Sequence, residues 1–496
     1  MVRWSFATFN GPIMLFNRVN GKCQNELHSD LSRLSRRDFL EYIVAAAKTV
    51  TAVGIGTSLS GLAIPPKTLT ATSEQSSLHE SWGELNGIRI SGYPRQIIPE
   101  LDEPITKLYA ETGMVGQACA RAYNRKLIFT RAYGWAYKGK PEETIPTSDW
   151  IPMSTTLSRP IGSCSKSLTA VAILKLIEQG HISLNTKVID YLELEPILEP
   201  PDFTEFDKRW KDIRIRHLLS HTAGVPIVGN EIIPRALLKK KVKTNEVKLI
   251  NGDQVTNRDA IRFWMRYPLE FNPGEDYKYT AGFELLAAVV EKASGMRCDK
   301  CIEKMIFQPL NLTSGTTWTY AGSRKNHEEY SQKHRFYGYG FNEKKNAYEW
   351  AYGDVVLGNS RQIFGWNIGG GFWCLSIIDA LRFVTFWPRL IHRKSLVTAA
   401  ITDQTPDHSH YGFGFGGVKE KGNKPYNWAH TGSLGGIKAS IDFNAETKIS
   451  GAELWSSDHP QRRETVRIAN RFVEKCKEDG RIRKMENLWP RYGFGE

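Results

Sequence analysis

Cysteine is scarce in this chain, with 7 among 496 residues. That is too few, and too scattered, for a disulfide-held scaffold. Only Cys298 and Cys301 stand in a Cys-x-x-Cys spacing. No second pair follows at a zinc-site interval, so the pair is read as packing, and neither metal nor cofactor is expected. Long apolar runs are also lacking: beyond residue 64 no segment reaches membrane-spanning length without charges. No long internal repeat is visible. The composition is that of a globular body, 41% hydrophobic and 24% charged, so disorder is not the default reading.

Charge of one sign is in excess. The formal net charge is +13, from 66 basic and 53 acidic side chains. Residues 1–63 hold seven of the basic and four of the acidic ones, a net of +3, which leaves +10 for the rest of the chain. A basic body suits anionic partners such as cell-envelope polymers. No nucleic-acid-binding motif accompanies the charge, and no nucleic-acid partner is expected.

Arg36-Arg37 precedes a mild apolar stretch, Tyr42 to Ala47 and Val50 to Ile64, interrupted by Lys48. This resembles a twin-arginine (Tat) signal and predicts export, to the periplasm or outside the cell, with a membrane anchor if the segment is not cleaved. Residues 1–64 are assigned to this signal segment, 65–84 to a linker rich in Pro, Ser and Thr, 85–480 to the main domain and 481–496 to a C-terminal tail.

Within the main domain, Ile88 to Tyr137 alternates apolar and polar positions, and Met114–Ala122 with Lys126–Gly134 reads as a hairpin turning near Asn124. A long amphipathic helix is predicted from Ser163 to Gln179, stopped by Gly180. Shorter helices are predicted over Ile215–Ser220 and Gly282–Ser294. Lys239–Asn257 is a basic insertion, and Ser323–Asn367 an aromatic-rich stretch without clear period. Strands return at Tyr411–Val418, Ile437–Phe443 and Lys448–Trp455, before a last helix from Arg462 to Lys477. Strands at both ends around a helical middle predict an α+β fold, with one antiparallel sheet built from both chain ends, flanked by helices, and a helical lobe inserted between.

Ser163-Cys164-Ser165-Lys166 opens the first long helix. Serine and lysine three apart share a helix face, and the serine sits at the positive end of the helix. A serine hydroxyl is a poor nucleophile until a base removes its proton. A lysine can be that base if burial and nearby positive charge depress its pKa. His217 and His221 lie four apart, but no Glu separates them in a metalloprotease arrangement and no third ligand is apparent. They are read as core histidines.

The stretch from Ile161-Gly162-Ser163 to Lys166-Ser167-Leu168-Thr169-Ala170 resembles the nucleophile helix of the serine β-lactamase and penicillin-binding superfamily. Class C β-lactamases, D-alanyl-D-alanine peptidases and related esterases are the nearest in pattern. Four further stretches agree in order and spacing: Arg216–Gly224, Asn272-Pro273-Gly274, Gly369–Cys374 with Asp379, and His430-Thr431-Gly432-Ser433-Leu434-Gly435-Gly436. The resemblance spans roughly residues 85 to 457 and implies the β-lactamase/transpeptidase-like fold. It also implies roles: Ser163 as nucleophile, Lys166 as its base and Tyr279 assisting proton transfer. His430, Thr431, Gly432 and Ser433 would form the substrate-binding edge strand, with the Ser163 and Ser433 amides as oxyanion donors. The chain departs from the family in two places. Ala281 stands where the Tyr-x-Asn motif has asparagine, and His430 where penicillin-hydrolysing members have lysine. The expectation is a serine hydrolase acting through an acyl-enzyme on a small-molecule or peptide substrate, with esters and small amides ahead of D-amino-acid peptides and β-lactams. The competing expectation is a non-hydrolytic envelope-binding or penicilloyl-receptor protein that keeps the fold. Nothing in the sequence assigns an oligomeric state.

Overall fold

A computed structural model describes residues 82–139, 146–196, 206–226, 256–280, 282–317, 368–421, 424–434 and 436–495, with short segments at 3–7, 14–19, 22–24, 339–342, 344 and 347–350. The chain divides into two compact units, Met1–Thr70 and Ala71–Glu496. In the first, the described strands Arg3–Ala7, Met14–Val19 and Lys22–Gln24 pair antiparallel in that order. The twin-arginine stretch, the linker as far as residue 81, most of the basic insertion and Ala281 lie outside the described residues.

The second unit is organised by one antiparallel sheet. Its strands are β1 (Gly83–Leu85), β2 (Ile88–Tyr93), β3 (Gly116–Tyr123), β4 (Lys126–Tyr137), β5 (Gly416–Lys421), β6 (Lys424–Leu434), β7 (Ile437–Asn444) and β8 (Ile449–Trp455). They lie in the order β5-β6-β7-β8-β3-β4-β2-β1, with the short strand Ile151–Pro152 added beside β4. The two chain ends meet where β8 pairs with β3, Ala452 opposite Ala120. The predicted hairpin is present, and Asn124 and Arg125 take the left-handed conformation (φ 46° and 67°) that a tight β3–β4 turn demands.

The period of two in β3 sorts side chains between two cores. Ala118, Ala120 and Ala122 face the larger one, shared with α2 (Ser165–Glu178), α4 (Phe283–Ser294) and α5 (Ile377–Phe386). Cys119 faces a smaller core built with α1 (Pro99–Thr112) and α6 (Arg462–Glu478). The sequence reading passed over α1. Its signal is Leu101, Ile105 and Tyr109 at helical spacing behind Pro99 at the helix start. On the Cys119 face, Arg121 pairs with Glu453 at 2.6 Å, both buried, and donates to Asn470 Oδ1 of α6 at 2.6 Å.

Residues 481–495 are not a trailing tail. Ile482, Leu488, Trp489 and Phe494 are buried. Leu488 N–H bonds to Leu127 O (3.1 Å) and Trp489 Nε1–H to Arg125 O (2.8 Å), so apolar burial and hydrogen bonds fix the segment to the β3–β4 hairpin. The Tyr411–Val418 strand also moves: pairing begins only at Gly416, because Gly412 N–H closes on Phe415 O at 2.8 Å in a turn that holds Gly414 at φ 75°. Within Ser323–Asn367, strands Tyr339–Asn342 and Ala347–Trp350 pair antiparallel.

Candidate active site

The nucleophile candidate sits on a tight turn rather than inside the helix. Gly162–Cys164 is a single 3-10 turn, and α2 begins at Ser165. Ile161 N–H bonds to Trp373 O (2.9 Å), and Gly162 takes φ 51°. Twelve of the fourteen residues of α2 are buried, so the helix is a fixed post on which the turn stands. Strand β6 runs directly against this turn. A Cβ at Gly162 would lie 2.6 Å from Ser433 N, and one at Gly432 would lie 1.9 Å from Ile161 O. Only glycine at both places lets the two backbones approach, and that approach sets the Ser433 amide beside Ser163.

Lys166 Nζ lies 3.2 Å from Ser163 Oγ and donates to Gly370 O at 2.9 Å. The lysine is 5% exposed. Burial lowers its pKa from 10.5 to about 8, while the Glu284 carboxylate and Cys164 pull in the opposite direction. The glycine turn at 369–371 is tied to the same helix, since Thr169 Oγ1 donates to Gly369 O at 2.8 Å. Asp379, in the following helix α5, accepts from Ser314 N–H at 2.7 Å and Thr313 N–H at 2.9 Å, which ties the 313–314 loop to the start of that helix.

Tyr279 is brought to the same point. Its ring centre is 5.0 Å from Lys166 Nζ, and the side chain is 39% exposed, open to a ligand. Burial of the phenol end raises its pKa, and a hydrogen bond with Ser163 partly offsets the rise. The structure therefore brings Ser163, Lys166 and Tyr279 together.

Strand β6, which borders the site, buries one of its expected site residues. His430 is 5% exposed and both ring nitrogens are engaged inside the protein. Nδ1 lies 2.7 Å from Thr431 O and Nε2 lies 2.9 Å from Tyr411 Oη. A carbonyl can only accept, so this network places the proton on Nδ1 and makes the Tyr411 hydroxyl the donor to Nε2. Burial, and then the Lys166 charge, push the His430 pKa down to about 3, and the ring is neutral. Its ring is buried at the base of the site, 6.3 Å from the Tyr279 ring centre to centre, while alternation along β6 leaves Thr431 and Ser433 as the exposed pair. Ser433 Oγ accepts from Lys438 Nζ at 2.7 Å, and Lys438 is held by Asp458 at 2.8 Å. Tyr411 and Lys438 were not anticipated. Lys438 could have been found by counting the β6–β7 register from Leu434 opposite Ile437 to Ser433 opposite Lys438.

His217 Nδ1 accepts Arg214 N–H at 3.2 Å, and burial, then Arg216 and Arg214, lower its pKa to about 4. His221 is 2% exposed, and its Nδ1 accepts Thr280 N–H. Cys298 and Cys301 are buried, with Cys301 Sγ 3.6 Å from Met305 Sδ. Among the described residues no group of three or more His, Cys, Asp or Glu is placed to hold a metal ion, and no helix is long and apolar enough to cross a membrane.

Comparison with known proteins bears on the family and the fold. The Beta-lactamase family model matches residues 101–474. Esterase EstB of Burkholderia gladioli is 26% identical over 221 residues, 43% of this chain and 49% of that protein. The octameric penicillin-binding protein homologue of Pyrococcus abyssi superposes with a TM-score of 0.51 at 22% identity, covering 73% of this chain and 74% of the other. The D-amino acid amidase of Ochrobactrum anthropi superposes with a TM-score of 0.52 at 17% identity, covering 76% and 98%. At these identities the two structures establish a shared fold. The chain spans about half the length of the curated relatives it matches, such as EstB (49%) and the human mitochondrial serine beta-lactamase-like protein LACTB (55%).

Proposed function

The chain belongs to the beta-lactamase family, and on that premise we propose that it is a serine hydrolase working through an acyl-enzyme on ester or small amide substrates. The observation that carries the reading is the 3.2 Å contact of Ser163 Oγ with an amine whose pKa has fallen to about 8. Neutral Lys166 takes the Ser163 proton as Oγ attacks the substrate carbonyl. The amides of Ser163 and Ser433, set side by side by the glycine contact, stabilise the oxyanion. Tyr279 relays a proton to the departing group. Water then attacks the acyl carbonyl, Lys166 takes its proton and passes it to Ser163 Oγ as the acyl–Oγ bond breaks, and the acid leaves.

Esters come first because the features that favour β-lactams are replaced: Ala281 stands for the amide-binding asparagine, and a neutral, buried His430 for the lysine. The esterase among the relatives supports the same order. Incubation with p-nitrophenyl acetate and with a fluorescent penicillin, beside Ser163→Ala, tests the reading. Ester turnover that disappears in the variant is expected. Stable penicillin labelling without turnover would replace the hydrolase by a penicilloyl receptor, and silence in both assays would remove the enzyme altogether.

We further infer export by the Tat route, supported by Arg36-Arg37 and the apolar stretch after it, with a basic body suited to the anionic cell envelope. Replacing both arginines by lysine in a bacterial host should keep the protein in the cytoplasm. Unchanged export would sink the idea.

A further inference from the structure

The chemistry just proposed has no use for His221, yet this residue is tied to Tyr279 in three ways. Its ring lies 4.3 Å from the Tyr279 ring, centre to centre, tilted by 38°. Its carbonyl accepts the N–H of Lys278 at 3.0 Å. Its Nδ1 accepts the N–H of Thr280 at 3.2 Å. Those two amides belong to the residues immediately before and after Tyr279.

The segment 276–280 has neither helix nor strand, so no ladder of its own backbone fixes the direction of the phenol. His221 in turn cannot give way. It is 2% exposed, with Phe283 at 5.2 Å and Tyr411 at 4.9 Å from its ring. It holds a left-handed backbone (φ 58°), which few non-glycine residues adopt and which here directs ring and carbonyl to the same segment.

We propose that His221 is the positioning residue of Tyr279: it brackets the tyrosine through the Lys278 and Thr280 amides, supports the ring, and so holds the phenol at Ser163 and Lys166. The kinetic consequence rests on the hydrolase reading, whereas the structural one does not. If Tyr279 serves the leaving group, a loosened tyrosine penalises an alkyl ester, whose alkoxide must be protonated. It spares a p-nitrophenyl ester, whose phenolate leaves unaided.

The experiment compares the full chain with His221→Leu, His221→Asn, Tyr279→Phe and the double variants. Asparagine tolerates the left-handed backbone and offers Oδ1 to the Thr280 amide, and leucine does neither. Hydrogen exchange at Thr280 is expected to accelerate in the leucine variant and to return towards the parent rate with asparagine. On an ethyl ester, His221→Leu should lower kcat at least about tenfold with KM within about twofold, the cost of a misplaced group. In the Tyr279→Phe background the same change should cost less than about twofold. If the leucine variant does not fold, the cycle is run with asparagine, whose lost ring contact should cost about threefold in kcat only while Tyr279 is present. Unaltered Thr280 exchange in a folded leucine variant, or an equal loss with and without Tyr279, overturns the proposal. Absence of ester turnover in the parent protein would refute the hydrolase reading, and the exchange measurement would still decide the positioning role.

Discussion

Replacing Lys166 with methionine isolates what burying that amine does to the protein. Its pKa falls from 10.5 in the unfolded chain to about 8 in the fold, with desolvation the leading cause. A base whose folded pKa is depressed destabilises the fold wherever the folded state must keep the proton. The penalty is therefore fully present below about pH 8 and fades as pH rises towards 10.5, since in that window the unfolded state binds more protons. A shift from 10.5 to about 8 corresponds to roughly 3 kcal/mol at pH 7, of which less than about 1 kcal/mol remains at pH 10. Lys166→Met abolishes the penalty but leaves Gly370 O without its donor, a loss of about 1–3 kcal/mol that does not depend on pH. The sign at a single pH thus decides nothing, and the change between two pH values decides everything.

Urea unfolding of the parent and the variant at pH 7 and pH 10 gives that change directly, because every other titrating group is common to both. The parent should gain roughly 2–3 kcal/mol on the variant between the two pH values. A stability difference that stays flat within about 0.5 kcal/mol would mean the amine is not depressed, and Lys166 could not then be a base near neutral pH.

The same depressed amine predicts that ester kcat/KM rises about tenfold from pH 7 to pH 9 as the neutral fraction grows, and a pH-independent rate would contradict it. Gly432→Ala places a methyl group where Ile161 O lies 1.9 Å away, so it pushes β6 off the nucleophile turn. Loss of one oxyanion donor should lower kcat by about 10²–10³, read against unchanged far-UV circular dichroism. Tyr411→Phe removes the donor to the buried His430 Nε2 and should cost about 1–3 kcal/mol in urea unfolding. Trp489→Ala opens the site between Phe386 and Phe494 and should cost about 3–5 kcal/mol, whereas a dispensable tail would cost nothing measurable.

Local patterns carried most of the fold. The β3–β4 hairpin, α2, α4 and the C-terminal sheet strands were legible because their periods and turn residues are strong. Helix α1 was lost inside a stretch read as alternating, since three apolar residues at helical spacing are a short signal against long flanking strands. The last residues looked like a tail because Leu488, Trp489 and Phe494 show no period. Their burial comes from a β3–β4 hairpin more than 350 residues earlier in the chain, as the Leu488–Leu127 and Trp489–Arg125 bonds show. At the site, the Ser163–Lys166 spacing could be read from one helical turn. His430 was placed on the right strand, but its bond to Tyr411 was not legible, because that partner is supplied only by the folded chain.

Among the described residues Lys166, His221 and His430 lie around Tyr279, and their hydrogen bonds bear on which of them can serve as the proposed base. His430 has both nitrogens committed, Nδ1 to Thr431 O and Nε2 to the Tyr411 hydroxyl. His221 has its lone pair on Nδ1, already occupied by the Thr280 amide. Both rings have their pKa values lowered by burial first, and then by the Lys166 charge. Neither imidazole can therefore take a proton from the serine without breaking a bond that holds the fold. Lys166 is in the opposite position: as a neutral amine it can keep Gly370 O as acceptor for one N–H and still turn its lone pair to Ser163 Oγ. Both histidines are neutral and fixed, so under the proposed chemistry the proton exchange at Ser163 falls to Lys166 and Tyr279.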